Sequence, residues 1–355
     1  MSVAVSLVLV TYRSGRVTPP AVASFRREIQ ASGIAGEVVI VDHSEDAAEL
    51  RALAELAPDV LVARPNRGYA AGVNEGMTHA GGDLVLVGNP DIVFLPGSVA
   101  ALAGALAAGR EIVGPQFVIA GLHFPPADGQ GVRDEVRRYL ASRSAVLWRR
   151  ELRRELARWR QVWQAESPVE VPSLSGALLA FRSDTWRRIG PWDERYFLYF
   201  EETDWQLRAR RAGLRIALVP AARVEHQWGH AATPATTGEH FMRSRARYLA
   251  THHGLAGRIA ERLVLDRAPL RPVPLPEGDA ALPAGRAWWL VSPTAFGMPA
   301  AGLFGSAAEM RAAMTAAARR RGDRSPLLVI AVPTGERRVL GPWQWCPPAP
   351  PSPRG

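Results

Sequence analysis

The early part of the chain is punctuated by apolar runs. Residues 3–12 read VAVSLVLVTY, a β-branched stretch that ends in polar residues. The stretches 37–44 (EVVIVDHS), 60–65 and 83–89 (DLVLVGN) repeat that pattern. Runs of this length without strict alternation predict parallel strands covered on both faces. Helical stretches fall between them, at about 20–32, 45–57 and 69–80. Strand and helix alternate, so the first 120 residues predict an α/β fold with a doubly wound sheet. Ligands bind such sheets beyond the carboxyl ends of the strands. Thr11, Asp42 and the triplet Asn89-Pro90-Asp91 all fall there.

Further along, residues 175–182 (SGALLAFR) predict a strand, 200–213 a helix closed by Gly213, 215–219 a strand, and 238–252 a basic helix. Residues 133–165 differ from their surroundings. Apolar residues including Trp159 and Trp163 recur there at helical spacing, among ten arginines and four acids. A basic amphipathic helix with tryptophans predicts peripheral contact with an anionic membrane; the alternative is a surface helix packed on its own domain. Domain boundaries follow composition. Residues 1–264 form the main α/β domain, 265–286 a Pro/Ala-rich linker, 287–345 a small α/β appendage, and 346–355 a disordered tail.

Composition narrows the class. The chain has 355 residues, 47% of them hydrophobic and 22% charged. It is long enough for a sizeable core, which excludes a disordered chain or a coiled coil. A single cysteine, Cys346, excludes a disulfide framework and a cysteine-rich zinc site. The net charge is +9, but there is no lysine, so all 43 basic residues are arginine. That bias, with abundant Ala, Gly and Pro, reads as genomic base composition, and nucleic acid is not expected as a partner. A positive surface still favours anionic partners such as sugar nucleotides. No apolar run reaches transmembrane length, and the N-terminus lacks the basic region of a signal peptide. The expected location is the cytoplasm, with peripheral attachment to the inner face of the membrane through 133–165.

Four polar islands recur along this framework. The first joins Thr11-Tyr12 with Asp42-His43-Ser44. The second runs from Asn66-Arg67-Gly68 through Gly72 to Asn74 and Gly76. The third is Gly88-Asn89-Pro90-Asp91. The fourth runs from Gly190-Pro191-Trp192-Asp193-Glu194 through Glu201-Glu202-Thr203-Asp204 to Arg208, and closes with Glu225-His226. Taken in order and at this spacing, over residues 3–250, they resemble family 2 glycosyltransferases of the bacterial rhamnosyltransferase-like group. The resemblance implies a GT-A-type mixed sheet flanked by helices, a nucleotide-sugar donor, a divalent metal (Mg²⁺ or Mn²⁺), and inversion at the anomeric carbon.

It also implies roles for individual residues. Asp91 holds the last position of the family's metal-binding DxD motif, with Asn89 at the first. Asp42 accepts a hydrogen bond from the uracil or thymine imide, beside Thr11 and Tyr12; its alternative role is to cap the following helix. Asn66 and Asn74 match paired asparagines of the family. Arg67 suits the diphosphate, and Gly68 close backbone approach. The family writes its base segment Glu-Asp; here Glu202 holds the base position. Asp204 is the second candidate base, or a partner for Arg208 four residues on. Trp192 and Asp193 belong to the acceptor pocket. His226 corresponds to a histidine that ligates the metal, the alternative being a structural histidine.

Chemistry supports the same assignment. A sugar nucleotide leaves as a diphosphate whose negative charge a cation with hard oxygen ligands neutralises. The expected function is transfer of a deoxyhexose such as rhamnose from a dTDP- or UDP-linked donor to a glycan or lipid-linked acceptor. The competing reading is a non-catalytic GT-A domain that binds nucleotide or glycan as a scaffold.

Overall fold

Every residue of the first strand, Val5–Thr11, is buried, which its unbroken apolar run requires. The computed structural model describes residues 4–127, 130–226, 234–263, 270–321, 325–335 and 338–347. Two compact units share the chain. The first comprises 1–117, 126–132 and 164–262; the second 118–125, 133–163 and 263–355. The second unit is therefore not built from C-terminal residues alone.

The elements run β1 (Val5–Thr11), α1 (Thr18–Ser32), β2 (Gly36–Asp42), α2 (Ala47–Ala54), β3 (Val60–Ala63), α3 (Tyr69–His79) and β4 (Leu84–Gly88). Then come β5 (Ile92–Phe94), α4 (Ser98–Ala107), β6 (Ile112–Ile119), β7 (Leu122–His123), α5 (Val132–Arg143) and α6 (Ala145–Trp163). They are followed by β8 (Val169–Glu170), β9 (Leu178–Arg182), α7 (Ser183–Ile189), α8 (Glu201–Arg211), β10 (Ile216–His226) and α9 (Pro234–Glu261). The chain continues with β11 (Val273–Pro274), β12 (Ala287–Ser292), β13 (Ala301–Gly305), α10 (Ala307–Arg321), β14 (Leu327–Pro333) and β15 (Leu340–Trp345).

In the first unit the sheet order is β6-β9-β4-β1-β2-β3. The pairs β4–β1, β1–β2 and β2–β3 are parallel; β9 is antiparallel to β4 and β6. This is the mixed sheet of a GT-A fold. Thr11 lies opposite Asp42, and Leu9 opposite Gly88, so the polar strand ends share one edge. Helix α3 packs directly on β1. A Cβ at Gly72 would lie 2.5 Å from Val10, and one at Gly76 2.4 Å from Val8. These two glycines thus serve tight helix packing.

The second unit carries the sheet order β11-β15-β14-β12-β13-β7. Strand β12 reads AWWLVS and is buried throughout. Its odd residues, Trp289 and Val291, join Met310, Met314 and Ala317 of α10 in one cluster. Its even residues, Trp288 and Leu290, join Trp148, Leu152, Leu156 and Trp159 of α6 in another. The period-two alternation of a strand therefore feeds two helical layers. The Pro/Ala-rich stretch is partly structural, since Leu275 and Leu282 pack into the first of these clusters. The last strand runs over Leu340–Trp345, and its Trp343 and Trp345 pack on the cluster two residues apart. From residue 348 onward the predicted tail lies outside the described residues.

Two of the tryptophans of 133–165 face the protein and not a membrane. Trp148 and Trp159 are fully buried because α6 turns its apolar stripe to its own unit. No helix among the described residues is long and apolar enough to cross a membrane.

Trp159→Ala should lower the unfolding free energy by about 3–5 kcal/mol, the usual cost of emptying a buried indole site. Denaturant unfolding reads it. An unchanged midpoint would contradict the burial.

Candidate active site

The carboxyl ends of β1 and β2 form one wall. Thr11 Oγ1 donates to Asp42 Oδ1 at 3.0 Å, and the Ser44 N–H donates to the same oxygen at 3.2 Å. The Ser44 hydroxyl takes the other carboxylate oxygen. Asp42 does not cap α2. Asp46 does, accepting from the Ala48 N–H at 2.8 Å. Asp42 is thus an oriented, buried carboxylate at a strand end, with Tyr12 exposed beside it.

At the end of β4, the Asn89 N–H donates to the Ala177 carbonyl at 2.9 Å. Two residues on, Asp91 is buried. Antiparallel pairing of β5 with β10 sets His226 opposite Ile92, and so beside Asp91. His226 Nε2 lies 3.2 Å from Asp91 Oδ1, and its ring rests on Phe117. Asp91 and His226, far apart in sequence, are brought together. His230 lies outside the described residues.

The third wall is the segment leading into α8. Tyr199 and Phe200 both have φ of +69°, a left-handed conformation that costs side-chain-bearing residues energy. The chain so turned enters α8 with Glu201, Glu202 and Asp204 in its first turn, where the helix dipole favours acids. A Cβ at Gly176 would lie 2.7 Å from Glu202 Cγ, so the Glu202 side chain rests on the backbone next to Ala177, the partner of Asn89. This seat went unread in the sequence; a glycine just before a strand was its only signal.

Much of the second island holds this segment rather than facing a ligand. Gly68 has φ of +97°, and a Cβ there would lie 2.4 Å from the Phe197 carbonyl oxygen. The Tyr69 N–H donates to that carbonyl at 2.8 Å. Asn66 Oδ1 accepts from the Gly68 N–H at 3.0 Å, fixing the turn. Asn74 grips Trp192 twice, accepting its N–H at 2.9 Å and donating to its carbonyl at 3.0 Å. Arg67 pairs with Glu194 at the exposed surface. Trp192 is no open stacking platform, because its ring is buried between Tyr69 and Trp205. Asp193 is held by both oxygens to Arg195, which keeps its carboxyl below the usual range.

Asp204 is corrected as a candidate base. Its two oxygens are engaged by His252 Nε2 at 2.7 Å and Arg208 Nε at 2.8 Å. Arg208 in turn donates to the carbonyls of Ile189 and Pro191. The partnership with Arg208 is the role that forms.

Glu201 and Glu202 remain. Burial pushes the Glu201 carboxyl well above the carboxylate range, and its neighbour Glu202 adds to the rise; burial also raises Glu202. Tyr69, not anticipated as a site residue, stands among them. Its phenol is raised by burial first, then by Glu201, Glu202 and Asp91 together. Three buried polar atoms here lack a hydrogen-bond partner: Tyr69 OH, Trp192 Nε1 and Glu201 Oε2. Such groups are costly unless a ligand satisfies them.

Residues 5–250 match the profile of the family described as glycosyltransferase like family 2. The chain belongs to that family. It is a glycosyltransferase. Over 238 residues it is 30% identical to the N-acetylglucosaminyl-diphospho-decaprenol L-rhamnosyltransferase of Mycobacterium tuberculosis, in strains CDC 1551 / Oshkosh and H37Rv, covering 61% of this chain and 71% of the relative. Among solved structures it is similar to GalNAc-T7 with UDP, GalNAc and Mn²⁺, at 15% identity and a TM-score of 0.45. That match covers 63% of this chain and spans less than half, 44%, of the other. It is also similar to a mannosyltransferase of Pyrobaculum calidifontis in complex with GDP-Man and Mn²⁺, at 16% identity and a TM-score of 0.47, covering 74% and 69% of the two chains.

For this glycosyltransferase a divalent cation is the group to fit. Among the described residues no set of three or more His, Cys, Asp or Glu side chains is placed to hold a metal. Asp91 and His226 offer one hard oxygen and one imidazole nitrogen, 3.2 Å apart. The carboxylate suits Mg²⁺ or Mn²⁺, which leave remaining positions to diphosphate and water.

A carboxyl with a raised pKa in the folded chain gives stability that is complete below the ordinary carboxylate value and is lost as pH rises through the folded value. Glu201→Gln should therefore raise the melting temperature at neutral pH and flatten its fall from about pH 5 to 8. Thermal melts across that range test it; a parallel profile would mean the carboxyl is not held protonated.

Proposed function

We propose that this glycosyltransferase inverts the anomeric carbon of a nucleotide-activated deoxyhexose, rhamnose in the first instance, and passes it from a dTDP- or UDP-linked donor to a lipid-linked acceptor. The observation that carries this reading is that Glu202 rests on Gly176, next to Ala177, whose carbonyl takes the Asn89 N–H two residues before Asp91. The carboxylate suited to the acceptor and the carboxylate suited to the donor diphosphate are thus tied to one stretch of backbone. The name of the Mycobacterium tuberculosis relative supports the sugar and the lipid diphosphate acceptor.

Asp42, with Thr11 and Ser44 fixing it, accepts the imide N–H of the base. Asp91 and His226 would hold the cation, which neutralises charge on the leaving diphosphate. Arg67 sits in an exposed ion pair that contributes little to stability, so it is free to exchange Glu194 for phosphate oxygen. Glu202, in its ionised form, takes the proton of the acceptor hydroxyl as that oxygen bonds to the anomeric carbon and the bond to the diphosphate oxygen breaks. Burial makes it a stronger base than a surface carboxylate. Glu201 keeps a proton and donates to a sugar or acceptor oxygen.

Transfer from dTDP-rhamnose and a panel of UDP-sugars, with Mn²⁺ or Mg²⁺, tests the assignment. Glu202→Gln should lower kcat by about 10²–10⁴-fold, the usual contribution of a general base, while donor binding survives. The acid limb of the rate profile should lie above the ordinary carboxylate range, because the base works deprotonated and its pKa is raised. Full activity in Glu202→Gln or Asp91→Ala removes the site. Metal-dependent donor binding without turnover in the parent assigns the scaffold reading instead.

A further inference from the structure

The segment α5–α6 exposes apolar and basic side chains together. In α5 the residues Arg133, Val136, Leu140 and Arg143 are all exposed, at helical spacing along one stripe. The head of α6 adds exposed Val146 and Leu147, and farther along the same helix Arg150, Arg153, Arg154 and Arg160 are exposed. Val146 is 72% exposed. Six arginines and four large aliphatic side chains therefore reach solvent between residues 133 and 163.

The acids of the segment point elsewhere. None of Asp134, Glu135, Glu151 and Glu155 is exposed. Glu151 pairs with Arg137 at 3.5 Å and with Arg154 at 3.4 Å; Glu155 pairs with Arg158 at 2.6 Å. Arg154, on the exposed side, is held by Glu151 and Glu155, and the exposed residues of the segment include basic side chains and no acid. The tryptophans are spent inwardly as well, on the core of the unit.

We propose that this face docks on an anionic lipid surface, with Val136, Leu140, Val146 and Leu147 entering the headgroup region and the surrounding arginines meeting lipid phosphates. Charge complementarity selects an anionic partner. The aliphatic residues select a bilayer over nucleic acid or an acidic protein. Interleaved apolar and basic positions suit an interface in which guanidinium heads remain wet while aliphatic chains leave water. The proposal rests on the hairpin alone and stands or falls independently of the transfer chemistry.

Vesicle co-sedimentation of the full chain tests it, with phosphatidylcholine alone and with added phosphatidylglycerol. Binding is expected only to the anionic vesicles and should weaken as salt rises. Arg150→Gln with Arg153→Gln should weaken it by about fivefold per arginine. Val146→Ser with Leu147→Ser should weaken it at unchanged charge and, being exposed, leave the thermal melt in place. Equal binding to both vesicle types, or indifference to either double variant, overturns the proposal. So does retention on duplex DNA that responds to the arginine pair but not to the aliphatic pair, which marks a general polyanion surface.

Discussion

Two adjacent carboxyl groups at the entry to α8, one buried and one half-buried, are the constraint around which the first unit is arranged. Burial raises both, and one buried oxygen of Glu201 has no hydrogen-bond partner. Such a pair persists only if its backbone cannot relax away from the pocket. Four separate devices hold that backbone. Gly68 lets the chain lie against Phe197, Asn74 clamps Trp192, and Arg208 ties down Ile189 and Pro191. Asp204 and His252 then lock Arg208 in place from below. Polar residues that look like ligand contacts in isolation are largely the scaffold of this one strained entry into α8.

The fold was legible where local pattern decides it. Unbroken β-branched runs gave the parallel strands, and their polar ends marked the working edge of the sheet. The meeting of Asp91 with His226 followed from motif order, although the register of β5 on β10 produces it. What stayed hidden was long-range. The local sequence shows Asp204 an arginine four residues on, but neither His252 on its other oxygen nor the glycine seat of Glu202, 26 residues earlier in the chain. Only tertiary packing assigns one to structure and the other to chemistry. Tyr69 carries no local mark beyond its place after Gly68. Trp192 reads as an acceptor-pocket residue because sequence cannot tell a buried indole from an exposed one.

The second unit shows the same limit. A tryptophan-bearing helix with many arginines carries one pattern whether its apolar stripe meets lipid or protein. The partner was present in the chain, in the even residues of β12, but more than a hundred positions away. Alternation within a strand was readable; that each face would be served by a different helix was not.

That arrangement has a bearing on how the molecule can be cut. A version ending at residue 264, the boundary composition suggests, would keep α6 and discard the strands beneath it. Trp148, Leu152, Leu156 and Trp159 would then face water as one continuous oily strip, the kind of surface that drives chains to clump. The C-terminal quarter is accordingly the other half of a core whose first half is laid down by residue 163, and the transferase has no natural place to be shortened between them.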